Sequence, residues 1–157
     1  MHIETEHKFL TVSDAFLQQA VRKMEICQAY LCRESGKTVR IRLCDDKAFL
    51  TIKGPSLDGG LSRFEWETEV APDDAALMLD LCGSERIDKT RYLVPCGKLM
   101  FEVDVFHGAN EGLVVAELEV PDAGTAFERP DWLGQEVTGQ RRYYNATLIN
   151  SPYSSWK

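Results

Sequence analysis

Glu4, Glu6 and Lys8 occupy alternate positions in the run HIETEHKFL. In an extended strand, alternate side chains share one face, so these three charges project together and Ile3, Thr5, His7 and Phe9 project oppositely. The same alternation recurs along the chain. It places Arg40 with Arg42 in TVRIRLC, and Lys53 in phase with Phe49 and Thr51 in KAFLTIK. It groups Arg63, Glu65, Glu67 and Glu69 in LSRFEWETEV, and Lys89 with Arg91 in DKTRY. Glu102 alternates with Asp104 in FEVDVF, and Glu117 with Glu119 in AELEV. Clustered carboxylate oxygens suit hard divalent cations such as Mg²⁺ or Mn²⁺. Clustered Arg and Lys suit phosphate oxygens. A cavity holding both has the charge inventory of metal-assisted phosphoryl transfer.

Two geometries fit such strands. Each could belong to an antiparallel sheet with its charged face in water. Alternatively, the sheet curls so that the charged faces line an interior channel and the apolar faces pack outward. Strict Glu-x-Glu, Arg-x-Arg, Lys-x-Arg and Glu-x-Asp pairs in many strands favour the channel, because a solvated face tolerates Ser, Thr and Gln at random. Burying like charges is costly without neutralising partners. The channel reading therefore requires a cation-bound polyanion.

The elements that must position these residues are mostly strands. They are expected over about residues 2–10, 28–34, 38–44, 47–53, 61–70, 86–94, 98–106 and 113–120. Ser35-Gly36-Lys37, Asp45-Asp46, Pro95-Cys96-Gly97 and the GPSLDGG loop supply turns. Ser13 caps a helix in which Phe16, Leu17, Ala20, Val21 and Met24 recur at helical spacing. Pro72 opens a second helix through Cys82, stopped by Gly83. Eight antiparallel strands suffice to close a barrel. The expected class is α+β: an eight-stranded closed antiparallel β-barrel with flanking helices, forming one domain over residues 1–157. Trp132, Tyr143 and Trp156 in the tail are expected to cover apolar strand faces. Tyr30 and Tyr92 read as packing residues and Glu69 as solvated. Arg141 and Arg142, being adjacent, point apart, which puts one of them at the surface.

A formal net charge of −7 argues against nonspecific binding to nucleic acid or anionic membrane. It does not exclude a small anion in a locally basic cavity. No apolar run is long enough to span a bilayer, and the N-terminus lacks the basic-then-apolar arrangement of a signal peptide. The five cysteines are odd in number and lack a Cys-x-x-Cys pair, so they read as buried reduced thiols. The cytoplasm is the expected compartment. The three histidines lack ligand spacing. A homodimer is compatible with this reading.

The ordered series resembles the CYTH family, the triphosphate tunnel metalloenzymes. Its Glu-x-Glu-x-Lys signature is here Glu4-Thr5-Glu6-His7-Lys8, and EVTGQRRYYNATL is similar to the family's tail. The resemblance implies an eight-stranded tunnel that holds a triphosphate and one or two divalent metals, Mg²⁺ or Mn²⁺. It implies that Lys8, Arg40, Arg42, Lys53, Arg63, Lys89 and Arg91 grip phosphates. It implies metal ligation by Glu4, Glu6, Glu102, Asp104, Glu117 and Glu119, with Glu65 and Glu67 assisting. Glu4, Glu6, Lys8 and Lys53 are its expected catalytic residues. The implied activity is hydrolysis of inorganic triphosphate, with a nucleoside triphosphate as the other substrate class. Class IV adenylate cyclase and thiamine triphosphatase are the alternative activities. A noncatalytic polyphosphate- or nucleotide-binding module is the alternative from a different class.

Overall fold

The computed structural model describes residues 2–156. Its strands are β1 (Ile3–Thr11), β2 (Arg22–Glu34), β3 (Lys37–Cys44), β4 (Lys47–Leu57), β5 (Ser62–Val70), β6 (Ile87–Cys96), β7 (Leu99–Phe106), β8 (Val114–Glu119) and β9 (Leu133–Glu136). Helices are α1 (Phe16–Gln19), α2 (Pro72–Cys82) and α3 (Asn145–Leu148). Going round the sheet, the order is β1-β8-β7-β6-β2-β3-β4-β5, and β5 pairs with β1 again through Ile3↔Phe64, Glu4↔Arg63 and Thr5↔Ser62. Every pairing is antiparallel, so eight strands close a barrel. The short β9 takes over the free edge of β1 where β5 diverges, pairing Phe9 with Glu136 and Thr11 with Leu133.

Alternation sends the apolar faces outward, where other segments cover most of them, while Ile3, Ile52, Phe64 and Trp66 stay exposed. Phe9, Phe101 and Leu118 pack with Phe16 and Trp132. Helix α2 lays Ala75 and Leu79 over Ala29, Ile41 and Ala48. Pro72 starts this helix where its missing N–H costs nothing, and Gly83 ends it at φ 65°. A third apolar cluster lies inside the barrel wall. Ile87, Phe106 and Val115 are in phase with the inward Lys89, Asp104 and Glu117, and pack against Leu148, Tyr143, Tyr153 and Trp156 of the tail. The tail therefore plugs part of one barrel end. Trp132 covers an outer face as expected, but Tyr143 and Trp156 serve this plug.

The expected helix from Ser13 to Met24 is shorter: α1 is one turn, and Ala20 is already extended at φ −65°, ψ 135°. The Val21 N–H donates to the Leu93 carbonyl at 2.9 Å, and Met24 pairs with Arg91, so these apolar residues follow a strand ladder. Strand β2 consequently begins at Arg22 rather than near residue 28. Strand β4 continues past Lys53 to Leu57, with an irregularity between Lys53 and Ser56 that accommodates Pro55. The five cysteines are free, and each is half-buried rather than fully buried. No helix among the described residues is long and apolar enough to cross a membrane.

Candidate active site

Cross-strand register assembles the interior charges. Lys8 and Glu102 each lie opposite Glu117, Glu6 lies opposite Glu119, and Arg91 lies opposite Asp104. On the other wall, Arg42 lies opposite Gln28, Arg40 opposite Thr51, and Lys53 opposite Glu65. These faces enclose a cavity of about 910 Å³ lined by Glu4, Glu6, Lys8, Arg40, Arg42, Lys53, Arg63, Glu65, Glu67, Lys89, Arg91, Glu102, Glu117 and Glu119. The channel geometry, not the solvated sheet, is the arrangement adopted. Each polar interior is backed by an apolar exterior on the same strand, which is why the alternation survives burial.

Arg91 organises one wall. Its Nε and Nη2 donate to Asp104 Oδ1 and Oδ2 at 2.7 and 2.9 Å, Nη1 reaches Glu102 at 3.1 Å, and Nη2 reaches Glu117 at 3.2 Å. Such a fork–fork pair fixes both partners in orientation. Lys89 Nζ lies 2.8 Å from Asp104 Oδ2, and both side chains are only 1% exposed. Burial disfavours a charged Asp104, yet Arg91 and Lys89 hold its carboxyl below the usual range. Burial is the main influence on Lys89; Asp104 opposes it, Arg91 and Arg42 reinforce it, and the ammonium is lowered to about 7.

Three carboxylates from three strands converge beside this pair. Glu6, Glu102 and Glu117 each place one oxygen within 4.8 Å of the others. Burial, with Glu117 and Glu4 nearby, pushes the Glu6 carboxyl well above its ordinary value. Burial opposes ionisation of Glu117 too, but Lys8 and Arg91 overcome it and hold that group well below. Lys8 Nζ sits 3.3 Å from Glu117; burial disfavours its charge, but Glu117 and Glu6 together prevail and raise the lysine. An oxygen-only cluster in which one carboxyl resists ionisation for want of positive charge fits a hard divalent cation. Of the six carboxylates expected to ligate, these three form the cluster. Asp104 is engaged by Arg91 and Lys89. Glu4 pairs with Lys53 at 3.0 Å. Glu119 flanks the cluster, raised by burial and then by Glu4, Glu65 and Glu102.

The opposite wall carries cations with weaker compensation. Arg42 Nε donates to the neutral Gln28 Oε1 at 2.8 Å. Burial, then the Arg40 and Arg91 charges, lower Arg42 to about 10. Arg40 Nη2 donates to Thr51 Oγ1 at 3.1 Å and lies 3.5 Å from Glu67, while its buried Nε has no partner. Thr51 in turn donates to Glu67 at 2.6 Å. Lys53 bridges Glu4 at 3.0 Å and Glu65 at 3.2 Å. Arg63 instead donates to the backbone carbonyls of Gly54 and Gly36 at 3.0 and 3.5 Å. Guanidinium groups that line a cavity with so little carboxylate compensation are ready anion ligands.

Several neighbours escape pattern reading. Gln28 and Tyr30 are in phase on β2, and Gln28 Nε2 donates to the Tyr30 hydroxyl at 3.3 Å. Tyr30 therefore lines the cavity, whereas Tyr92 packs outward on Phe16 at 5.9 Å. Glu69 is exposed. Arg141 reaches the cavity lining, and Arg142 stacks over Trp156 at 3.9 Å outside it. Tyr144 and Asn145 contact Lys8 and Lys89 respectively. Gln28 and Tyr30 alone carried a local signal, their shared strand phase.

Known proteins are similar to this chain in sequence and in fold over most of its length. An inorganic triphosphatase of Acetivibrio thermocellus is 42% identical over 155 residues, covering 98% of this chain and 97% of that protein. An inorganic triphosphatase of Nitrosomonas europaea is 35% identical over 153 residues, covering 94% and 97%. The crystal structure of an inorganic triphosphatase superposes with a TM-score of 0.64 at 28% identity, covering 93% of this chain and 97% of that one. A Pyrococcus furiosus protein shares the fold at a TM-score of 0.61 and 23% identity, covering 77% and 80%. The CYTH domain pattern matches residues 2–151, and with these relatives it shows that the chain belongs to the CYTH domain family.

Proposed function

We propose that this protein hydrolyses inorganic triphosphate to pyrophosphate and phosphate inside the barrel, with Mg²⁺ or Mn²⁺. The observation that carries this reading is the coexistence, in one cavity, of the Glu6–Glu102–Glu117 oxygen cluster and the under-compensated Arg40 and Arg42 guanidinium groups. The two relatives named inorganic triphosphatase support it. A sensor capturing an anion needs no carboxylate cluster.

In this reading, Arg40, Arg42, Arg63, Lys89 and Arg91 bind the phosphate oxygens and offset their charge. Lys8, kept protonated by Glu117, and Lys53, fixed between Glu4 and Glu65, hold the reacting end. Glu6, Glu102 and Glu117 would hold a divalent ion, with Glu4 and Glu119 beside them; such an ion polarises phosphoryl oxygens and makes water easier to deprotonate. Asp104 keeps Arg91 and Lys89 aimed. Water attacks the terminal phosphorus and gives up its proton to solvent or a product oxygen, while the bridging P–O bond breaks and its electron pair leaves on pyrophosphate. Positioning and charge stabilisation account for most of the acceleration in such transfers. Five free cysteines support a reducing, cytoplasmic setting.

The test is turnover of inorganic triphosphate, ATP and thiamine triphosphate with Mg²⁺ and with Mn²⁺, with products identified. Metal-dependent phosphate release, fastest from inorganic triphosphate, is expected. Cyclic AMP as the main product from ATP, or binding of all three without turnover, overturns the reading.

A further inference from the structure

Two adjacent tail residues reach into the barrel and each touches one of its buried lysines. Asn145 Oδ1 accepts a hydrogen bond from Lys89 Nζ at 3.0 Å. The Tyr144 ring lies under Lys8 Nζ, 5.1 Å from ammonium to centroid. The step is fixed from both sides. The Tyr144 hydroxyl meets Ser56 Oγ at 3.4 Å, and the backbone enters through a close crossing of Gly139 with Gly59 and Gly60.

An ammonium has three donors. On Lys89 one is taken by Asp104, which Arg91 already neutralises, and one by Asn145. The amide oxygen adds a hydrogen bond without a further negative charge, and the tyrosine ring face adds a cation–π contact to Lys8, already paired with Glu117 at 3.3 Å, that likewise brings none. A carboxylate at either place would quench the lysine and repel phosphate.

We infer that Tyr144 and Asn145 are positioning residues of the anion site, aiming Lys8 and Lys89 at the bound phosphate chain while leaving their positive charge available to it. This rests on the proposed triphosphate reading and adds the tail to it.

The experiment is calorimetric binding of sodium tripolyphosphate to the metal-free full chain. The wild type is compared with Asn145→Asp, Asn145→Ser, Tyr144→Leu and Tyr144→Phe, with KM and kcat measured in parallel. Asn145→Asp keeps the shape and is expected to weaken binding about tenfold or more, a size typical of a lost charge-assisted contact. Its KM should rise more than its kcat falls. Asn145→Ser should lose less than Asn145→Asp, and Tyr144→Phe less than Tyr144→Leu. Should Asn145→Asp not fold, the ranking of the two Tyr144 variants decides. Wild-type binding with unchanged affinity in Asn145→Asp and Tyr144→Leu overturns the inference alone. No wild-type binding overturns the inference together with the triphosphate reading.

Discussion

Arg42 and Gln28 face one another across β2 and β3, with Nε donating to the amide oxygen at 2.8 Å. Among the described residues, this partly buried guanidinium forms no ion pair. Its neighbours Arg40 and Arg91 repel it, and together with burial they lower it to about 10. Asp104 offsets this only in part, so the folded protein keeps unfavourable electrostatics that an incoming anion relieves. Replacement by a similarly shaped neutral chain, Arg42→Met, should raise metal-free stability by about 1 kcal/mol, as buried charges give way to apolar packing. The same variant should bind triphosphate at least tenfold more weakly. Urea midpoints and binding titrations measure the two effects. A variant that is both less stable and unchanged in affinity would place Arg42 outside the anion site.

Arg91 predicts the opposite. Its fork to Asp104 and its contacts with Glu102 and Glu117 join three strands. Asp104→Ala leaves Arg91 and Lys89 without their shared carboxylate in a fully buried place. Breaking one partner of a buried pair costs about 3–5 kcal/mol. Denaturant unfolding should show a loss of that order, and turnover should fall with it. A loss below about 1 kcal/mol would mean that water replaces Asp104 freely.

Much of this was legible in the chain, for a specific reason. Strand period is 2, so Glu4, Glu6 and Lys8 had to share a face, and the same held for every other charged pair. Closure followed because so many like-facing charges need one enclosed neutraliser. The start of β2 was not legible: Phe16, Leu17, Ala20, Val21 and Met24 satisfy a helical period, yet Val21 and Met24 are claimed by the β6 ladder. Tertiary pairing overrode local pattern. The sorting of carboxylates was also hidden. Glu6, Glu102 and Glu117 converge while Asp104 turns to Arg91, and that depends on register between strands distant in sequence. The tail contacts of Tyr144 and Asn145 are longer-range still.

The Glu6–Glu102–Glu117 cluster predicts a thermal response to cations. A ligand at a hundred times its Kd stabilises by about 2.7 kcal/mol, and each kcal/mol moves a domain of this size by about 2–4 °C. Mg²⁺ or Mn²⁺ should raise the Tm of the chelator-treated protein by about 5–10 °C. Glu6→Gln and Glu117→Gln should each remove most of that rise while abolishing turnover. Differential scanning calorimetry with and without chelator reads it. A full response in both variants would move the cation elsewhere.

The glycine crossing makes a conformational prediction. Gly139 has φ 80° and Gly60 φ 96°, and a Cβ on either would collide with backbone of the other segment. Gly139→Ala combines left-handed backbone strain with that clash, so about 2 kcal/mol or more is lost. The loss should fall on tail docking first, since the plug follows this point in the chain while β9, before it, is held by β1. Limited proteolysis should cut the variant between residues 139 and 145 well before the barrel. Equal protection of both chains would show that the tail docks without the crossing.

Glu136 sets an acid limit on the β1–β9 seam. Its Oε2 lies 2.8 Å from His7 Nδ1 and accepts from Thr138 Oγ1 at 2.6 Å, while Thr138 accepts the Lys8 backbone N–H at 2.9 Å. Burial raises the carboxyl somewhat, but the Thr138 and His7 hydrogen bonds prevail and hold it below its ordinary 4.5. A depressed carboxylate contributes stability above its unfolded value and loses it as pH falls through the folded value, because the unfolded chain binds the proton first. Wild type should therefore exceed Glu136→Gln in urea midpoint at about pH 7, and the gap should close as the pH falls below the ordinary carboxylate range. A gap that stays constant across that window would assign the effect of Glu136 to hydrogen-bond geometry that the neutral amide cannot reproduce, and not to its charge.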